Sequence, residues 1–307
     1  MLIEIPRPFS EVTEVEPRTR RLGGARLTGL PAALVTDTSP QTNRRASLQA
    51  ADDVQYREAD GTAFITLNRP AKLNALGPHS FALLDQHIAR FTGSPTARVA
   101  ILHGNGMAFA AGADIEHYVG LSVLDYADFM RTGNAVQQKL IDCPKPLIAA
   151  VHGYALGGGL ELALCCDLII AEADAQLGLP EAKLGLLPGG GGTQRLPRLI
   201  GTIRAAELIM TAWRISGAEA VSWGLALGTG DSASALEAAQ VLARRINAAA
   251  PVAVRMAKTL LREGSDGPLA TGLRLEQAVG AVLYGTDDAK EGIAAFVEKR
   301  KPQFNGH

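Results

Sequence analysis

Cysteine is scarce in this chain: Cys143, Cys165 and Cys166 are the only three in 307 residues. The number is odd, two are adjacent, and none has metal-ligand spacing. That argues against a disulfide framework and fits reduced thiols in a cytoplasmic setting. Histidine is little better represented. The six, at positions 79, 87, 103, 117, 152 and 307, form no H-x-x-x-H pair, so no metal site is expected; His152, beside Gly153, reads as a packed or hydrogen-bonded residue. Neither sign of charge is in excess, with 30 Lys and Arg against 31 Asp and Glu, which leaves no basic coat for nucleic acid. No stretch of about twenty residues lacks polar punctuation. The N-terminus has no basic segment leading into an apolar one, so neither a membrane span nor export is expected. The Gly-rich "PGGGGTQR" has no Lys before Thr193, and no strand-like run leads into a complete G-x-G-x-x-G. P-loop hydrolysis and Rossmann hydride transfer therefore lose support.

What is present describes an ordinary globular protein, 47% hydrophobic and 20% charged, long enough for a large core with an appendage. Residues 1–50 mix charge, Pro, Gly, Ser and Thr without sustained periodicity and read as a loosely ordered extension, dispensable for chemistry. Acids at Glu4, Glu11, Glu14 and Glu16 argue against an organelle transit peptide. From Val54 the pattern becomes regular. Aliphatic, largely β-branched runs at Ala63 to Leu67, Val99 to His103, Leu147 to Val151 and Leu168 to Ala171 alternate with helical stretches at Gly77 to Arg90 and Tyr126 to Ile141. This is an α/β pattern, with a nearly all-helical remainder expected after Thr193. The expected organisation is an extension over 1–50, a core with the active site over 51–250, and a helical C-terminal region over 251–307.

One residue sits oddly in that pattern. Glu161 comes after three glycines inside the apolar, helix-compatible run "YALGGGLELALCCDL", Tyr154 to Leu168. A second acid, Glu181, comes after Pro180 and precedes a Gly-rich loop in "LPEAKLGLLPGGGGTQRL". Between strand-like and helix-like runs lies "FAAGADI", Phe109 to Ile115, whose small residues let backbone approach a neighbour closely. Taken singly, each stretch has a plain alternative: a tight turn, close helix packing or a capping carboxylate.

Taken together, "ITLNRPAKLNAL", "FAAGADI", "GYALGGGLELA", "PEAKLGLLPGGGGTQRL" and "DDAKEGIAAFVEKRKPQF", in this order, closely resemble the enoyl-CoA hydratase (crotonase) family over about Val54 to Phe304. The resemblance implies a crotonase-like spiral of strand-strand-helix turns with a helical C-terminal region. It also implies a homotrimer or homohexamer, an acyl-CoA thioester substrate, fatty acid β-oxidation as the setting, and no metal or redox cofactor. On this sequence it places the oxyanion hole on the backbone N–H groups of Ala111 and Gly158, where a side chain at 158 is expected to crowd the thioester oxygen. It places the hydratase acids at Glu161, which orients water and accepts its proton, and Glu181, which helps hold the water and supplies a proton to the α-carbon. Burial is expected to raise at least one of their pKa values.

The loop Ala111, Gly112, Ala113 and Asp114 is expected to line the CoA groove, although Asp114 could instead cap the next helix. Lys72 and Lys299 are the candidates for CoA phosphates, Lys299 reaching from a neighbouring subunit. The chain departs from the common family pattern at Val279 and Gly280, where a Leu-Phe pair is frequent, at Leu177, and at Ala212 and Trp213. These changes suggest a widened acyl pocket, with Trp213 in the core or at a subunit contact. An isomerase would lack the acid at 161. An RNA-binding relative would carry a lysine-rich helix where "LGPHSFALLDQHIARF" has no Lys, and a non-catalytic scaffold needs neither acid.

Overall fold

The computed structural model describes residues 53–307. The expectation placed on 1–50 lies outside the described residues.

β1 (Val54–Ala59) turns back into antiparallel β2 (Thr62–Leu67) through Asp60 and Gly61, whose φ of 51° and 74° supply the two left-handed residues of a tight hairpin. Next come α1 (Pro78–Gly93), β3 (Val99–Gly104), α2 (Val123–Asp142) and β4 (Leu147–Val151). β2, β3 and β4 run parallel, and every residue in them is buried. Runs such as "VAILHG" and "LIAAV" show no polar alternation because both sheet faces are covered. Successive side chains point to opposite faces: Ile65, Leu102 and Ala149 join the core containing Phe81 and Leu84 of α1. Phe64, Ile101 and Ile148 join a second core on the other side.

From β4 to β7 the strands alternate between two sheets. β5 (Tyr154–Leu156) opens a second sheet and leads into α3 (Gly158–Ala163). β6 (Leu168–Ala171) returns to pair with β4, and β7 (Gln176–Gly178) pairs in parallel with β5. The strand, strand, helix coil is thus as the motifs imply. The chain continues through α4 (Gly192–Ile200), α5 (Thr202–Thr211), β8 (Arg214–Ser216), α6 (Gly217–Ser222), β9 (Leu227–Gly228) and α7 (Ala235–Asn247). α7 closes the second core with Ala235, Ala238, Ala239 and Ala243, small residues that let helix and sheet approach. Two short strands therefore interrupt the remainder read as nearly all helical. At three and two residues they are too short for alternation to reveal them. Trp213 is 61% exposed, so the core reading of that residue is wrong.

The chain ends in α8 (Pro251–Asp266), α9 (Leu269–Tyr284) and α10 (Asp287–Glu298). α8 is tied to the core by charge. Asp167 accepts from Lys258 Nζ, Arg262 Nη2 and the Leu147 N–H, each at 2.8 Å, and the Lys258 side chain is only 6% exposed. Removing the carboxylate leaves a buried ammonium whose remaining partner is the Lys145 carbonyl. Asp167→Ala is therefore expected to destabilise the fold by about 3 kcal/mol, read as a lower urea midpoint; an unchanged midpoint would show that α8 is held by packing alone.

Candidate active site

Parallel pairing brings three distant segments to one end of the small sheet. Leu156 pairs with Gly178, and the Gly157 N–H donates to the Gly178 carbonyl at 2.9 Å, so the segments after β5 and after β7 emerge side by side. Glu161 lies on α3 after β5, and Glu181 on a short 3-10 turn, Pro180–Leu184, after β7. The third segment is "FAAGADI": the Ala110 N–H donates to Tyr154 and the Leu156 N–H to Ala110, both at 3.0 Å. Between these segments, α2 and the loop before α4 lies a cavity of about 140 Å³, lined by both glutamates, Ala111, Gly112, Ala113 and Gly158.

Glu161 is 3% exposed. Its Oε1 accepts from the N–H groups of Gly190 and Gly192, each at 2.8 Å. A side chain at Gly190 would displace the carboxylate or the facing amide, since its Cβ would fall 2.6 Å from Glu161 Oε2 and 2.6 Å from Gln137 Nε2. Burial raises the Glu161 pKa; the two N–H donors and the charge of Arg195 oppose it, favouring the anion. Glu181 has weaker support. Its Oε2 is buried without a hydrogen-bond partner, and burial, reinforced by the charge of Glu161 and opposed only by its own backbone N–H, pushes its pKa up to about 7. Gly157, at φ 50° and with its missing Cβ 2.7 Å from Glu181 Oε1, leaves room for that carboxyl. Burial raises both acids, as expected of at least one, and only Glu161 has backbone N–H donors from another segment opposing the rise.

The oxyanion pair needs a correction. The Ala111 N–H donates to the Leu73 carbonyl at 2.9 Å, so it is not free for a ligand. Two residues on, the Ala113 N–H has no acceptor among the described residues, while the flanking Asp114 N–H and Gly112 carbonyl are held by Leu76. Gly158 begins α3, so its N–H has no acceptor within the helix. A Cβ at 158 would meet only ordinary contacts, the nearest being the Ala113 nitrogen at 3.5 Å. The two unpaired N–H groups thus border one small space, and the protein itself does not require glycine at 158.

The remaining candidates do not gather in the cavity. Asp114 stands at the start of the 3-10 turn Ile115–Tyr118 but makes no capping bond; its carboxylate pairs with Arg69 at 3.1 Å and Lys72 at 3.9 Å. Lys72 is also paired with Glu116, and Lys299 is the left-handed residue that caps the end of α10, outside the cavity lining. His152 is hydrogen-bonded, to the Gly106 carbonyl at 3.0 Å. Sequence reading missed the far wall altogether, where α2 presents Met130, Asn134 and Gln137 and the preceding turn presents Tyr118. A helical i, i+4, i+7 spacing was the available signal for the α2 residues.

A sequence model described as "Enoyl-CoA hydratase/isomerase" matches residues 57–307. A probable enoyl-CoA hydratase of Bacillus subtilis is 41% identical over 246 residues, 80% of this chain and 95% of that protein. The mitochondrial methylglutaconyl-CoA hydratase of Mus musculus is 36% identical over 287 residues, 90% of this chain and 91% of that protein. The crystal structure of an enoyl-CoA hydratase from Bacillus anthracis superposes with a TM-score of 0.80 at 38% identity, covering 83% of this chain and 100% of that one.

Proposed function

This chain belongs to the enoyl-CoA hydratase/isomerase family, and we propose that it adds water across the double bond of a trans-2-enoyl-CoA to give a 3-hydroxyacyl-CoA. The observation that carries this reading is the pair of acids in unequal environments, in the same cavity as two unpaired backbone N–H groups. Water is held between Glu161 and Glu181. Glu161, held by the N–H groups of Gly190 and Gly192, takes the proton as the water oxygen bonds to C3. Electron density moves to the thioester oxygen, where the N–H groups of Ala113 and Gly158 receive it. Glu181 then delivers its proton to C2 and the thioester re-forms. These steps need no metal or redox group.

The test is loss of the enoyl thioester absorbance of crotonyl-CoA. Its pH profile is diagnostic, because Glu181 must carry a proton and its pKa is pushed up to about 7. kcat/KM is therefore expected to fall as pH rises through about 7, with the acid form available below. A profile flat to high pH would remove Glu181 as the proton donor.

CoA is taken along the Ala111 to Asp114 loop, with Lys72 and Lys299 the cations available to its phosphates. A homotrimer or homohexamer is supported by α9, which has no buried residue and leaves Leu269 and Val282 exposed. Three free cysteines support a cytoplasmic location, and no helix among the described residues is long and apolar enough to cross a membrane.

A further inference from the structure

Gln137 is a buried polar residue of this cavity that the hydration mechanism does not use. It is 3% exposed, lines the cavity from α2, and its Oε1 is buried without a hydrogen-bond partner. Interchanging its amide oxygen and nitrogen would only leave a donor stranded in place of an acceptor. A buried amide without partners opposes folding, and an apolar side chain of similar size would remove that penalty. Its neighbour Asn134 shows the contrast: its Nδ2 donates to the carbonyls of Met130 and Gly189, both at 2.9 Å, and so pins the Gly-rich loop to α2.

Two further polar groups share this wall. Tyr118 and Tyr126 line the cavity, their rings 5.1 Å apart, and neither hydroxyl has a protein partner among the described residues. Apart from Asn134, whose amide nitrogen is already bonded, the side chains on that side are apolar, with Phe81, Phe129 and Met130. Gln137 also lies close to the Glu161 carboxylate. Its Nε2 and the Glu161 Oε2 are each 2.6 Å from the point that a Cβ at Gly190 would occupy. Glu161 works at C3, so a group met by Gln137 sits one or two carbons further along the acyl chain.

We propose that Gln137, with the hydroxyls of Tyr118 and Tyr126, recognises a hydroxyl group carried by the acyl chain just beyond C3. A hydroxyl both donates and accepts, so it satisfies the amide in either orientation. A carboxylate there would face Glu161 and Glu181, and no Lys or Arg lines the cavity to offset them. The inference rests on the acyl-CoA reading of this cavity and concerns which acyl group it prefers.

Binding of unreactive saturated thioesters tests it independently of hydration. 5-Hydroxypentanoyl-CoA and hexanoyl-CoA differ by a hydroxyl in place of a methyl, and their Kd values are to be measured by calorimetry on the full chain. The expected result is about tenfold tighter binding of the hydroxylated thioester, falling to near parity in Gln137→Leu. Tyr126→Phe, which keeps the ring, provides the same ratio should Gln137→Leu fail to fold, and is expected to lower it. The Tm of Gln137→Leu is expected to equal or exceed that of the parent, which a merely structural amide would not give. Equal or tighter binding of hexanoyl-CoA by the parent protein overturns the inference. So does a ratio unchanged by substitution, which would assign the amide to the attacking water. Crotonyl-CoA turnover by the parent protein is a separate measurement, so failure of the hydratase reading remains distinguishable.

Discussion

Glu161→Gln and Glu181→Gln are each expected to lower kcat on crotonyl-CoA by roughly 10²–10⁴ with KM little changed. The substitutions are nearly isosteric, and the structure says what each preserves. At 161, the amide oxygen can keep the two 2.8 Å bonds from Gly190 and Gly192, so the loop stays in place and only the proton acceptor is lost. At 181, the side chain has no protein partner on Oε2, so no hydrogen bond of that atom is broken. Burial that lifts the Glu181 pKa also makes its ionised form a burden on the fold. A carboxyl with a raised folded pKa contributes stability below its unfolded value near 4.5 and loses it as pH rises through about 7. Glu181→Gln is therefore expected to have a higher Tm than the parent at pH 8 while being far less active, which separates a catalytic loss from misfolding. Near-normal hydration by either variant would sink the assignment of the pair.

Loss of activity is also expected for Gly158→Pro, by at least about 10²–10³ in kcat/KM, because proline removes one of two donors from the thioester oxygen. Proline in a helix is usually uninformative, but here the first helical position is concerned, where its missing N–H breaks no helical bond. Circular dichroism and light scattering should match the parent, which makes the activity readable. The companion Gly158→Ala keeps the N–H and finds ordinary contacts in the protein, so it should fold normally. If both variants hydrate crotonyl-CoA at near-parent rates, the oxyanion hole does not lie at residue 158.

Several features were legible from the chain alone because their signals are local. Unbroken aliphatic runs at Leu147 to Val151 and Leu168 to Ala171 became buried strands with those same bounds, since a parallel sheet covered on both faces has no polar face to display. Glu161 stood out because an ionisable group in an apolar run must be either paired or functional. "FAAGADI" was marked in the sequence and lines the cavity, but the N–H singled out there, that of Ala111, is paired, and the unpaired one lies two residues on. Ala111 and Ala113 are the same residue type in one short loop, and the difference between them is a carbonyl from Leu73, 38 positions upstream, that engages the first.

The sequence by itself determined the family and the buried parallel strands of the larger sheet, and it marked Glu161 and Glu181, because each is written in residue types and short spacings. Tertiary structure alone decided which N–H groups remain unpaired, that Gly190 and Gly192 hold Glu161 while Glu181 is left to rise to about 7, and that Gln137 reaches the cavity unpartnered. The reason is physical: whether a donor is free, a carboxyl desolvated or an amide satisfied depends on which distant segment packs against it, and parallel strand pairing brings together segments far apart in the chain.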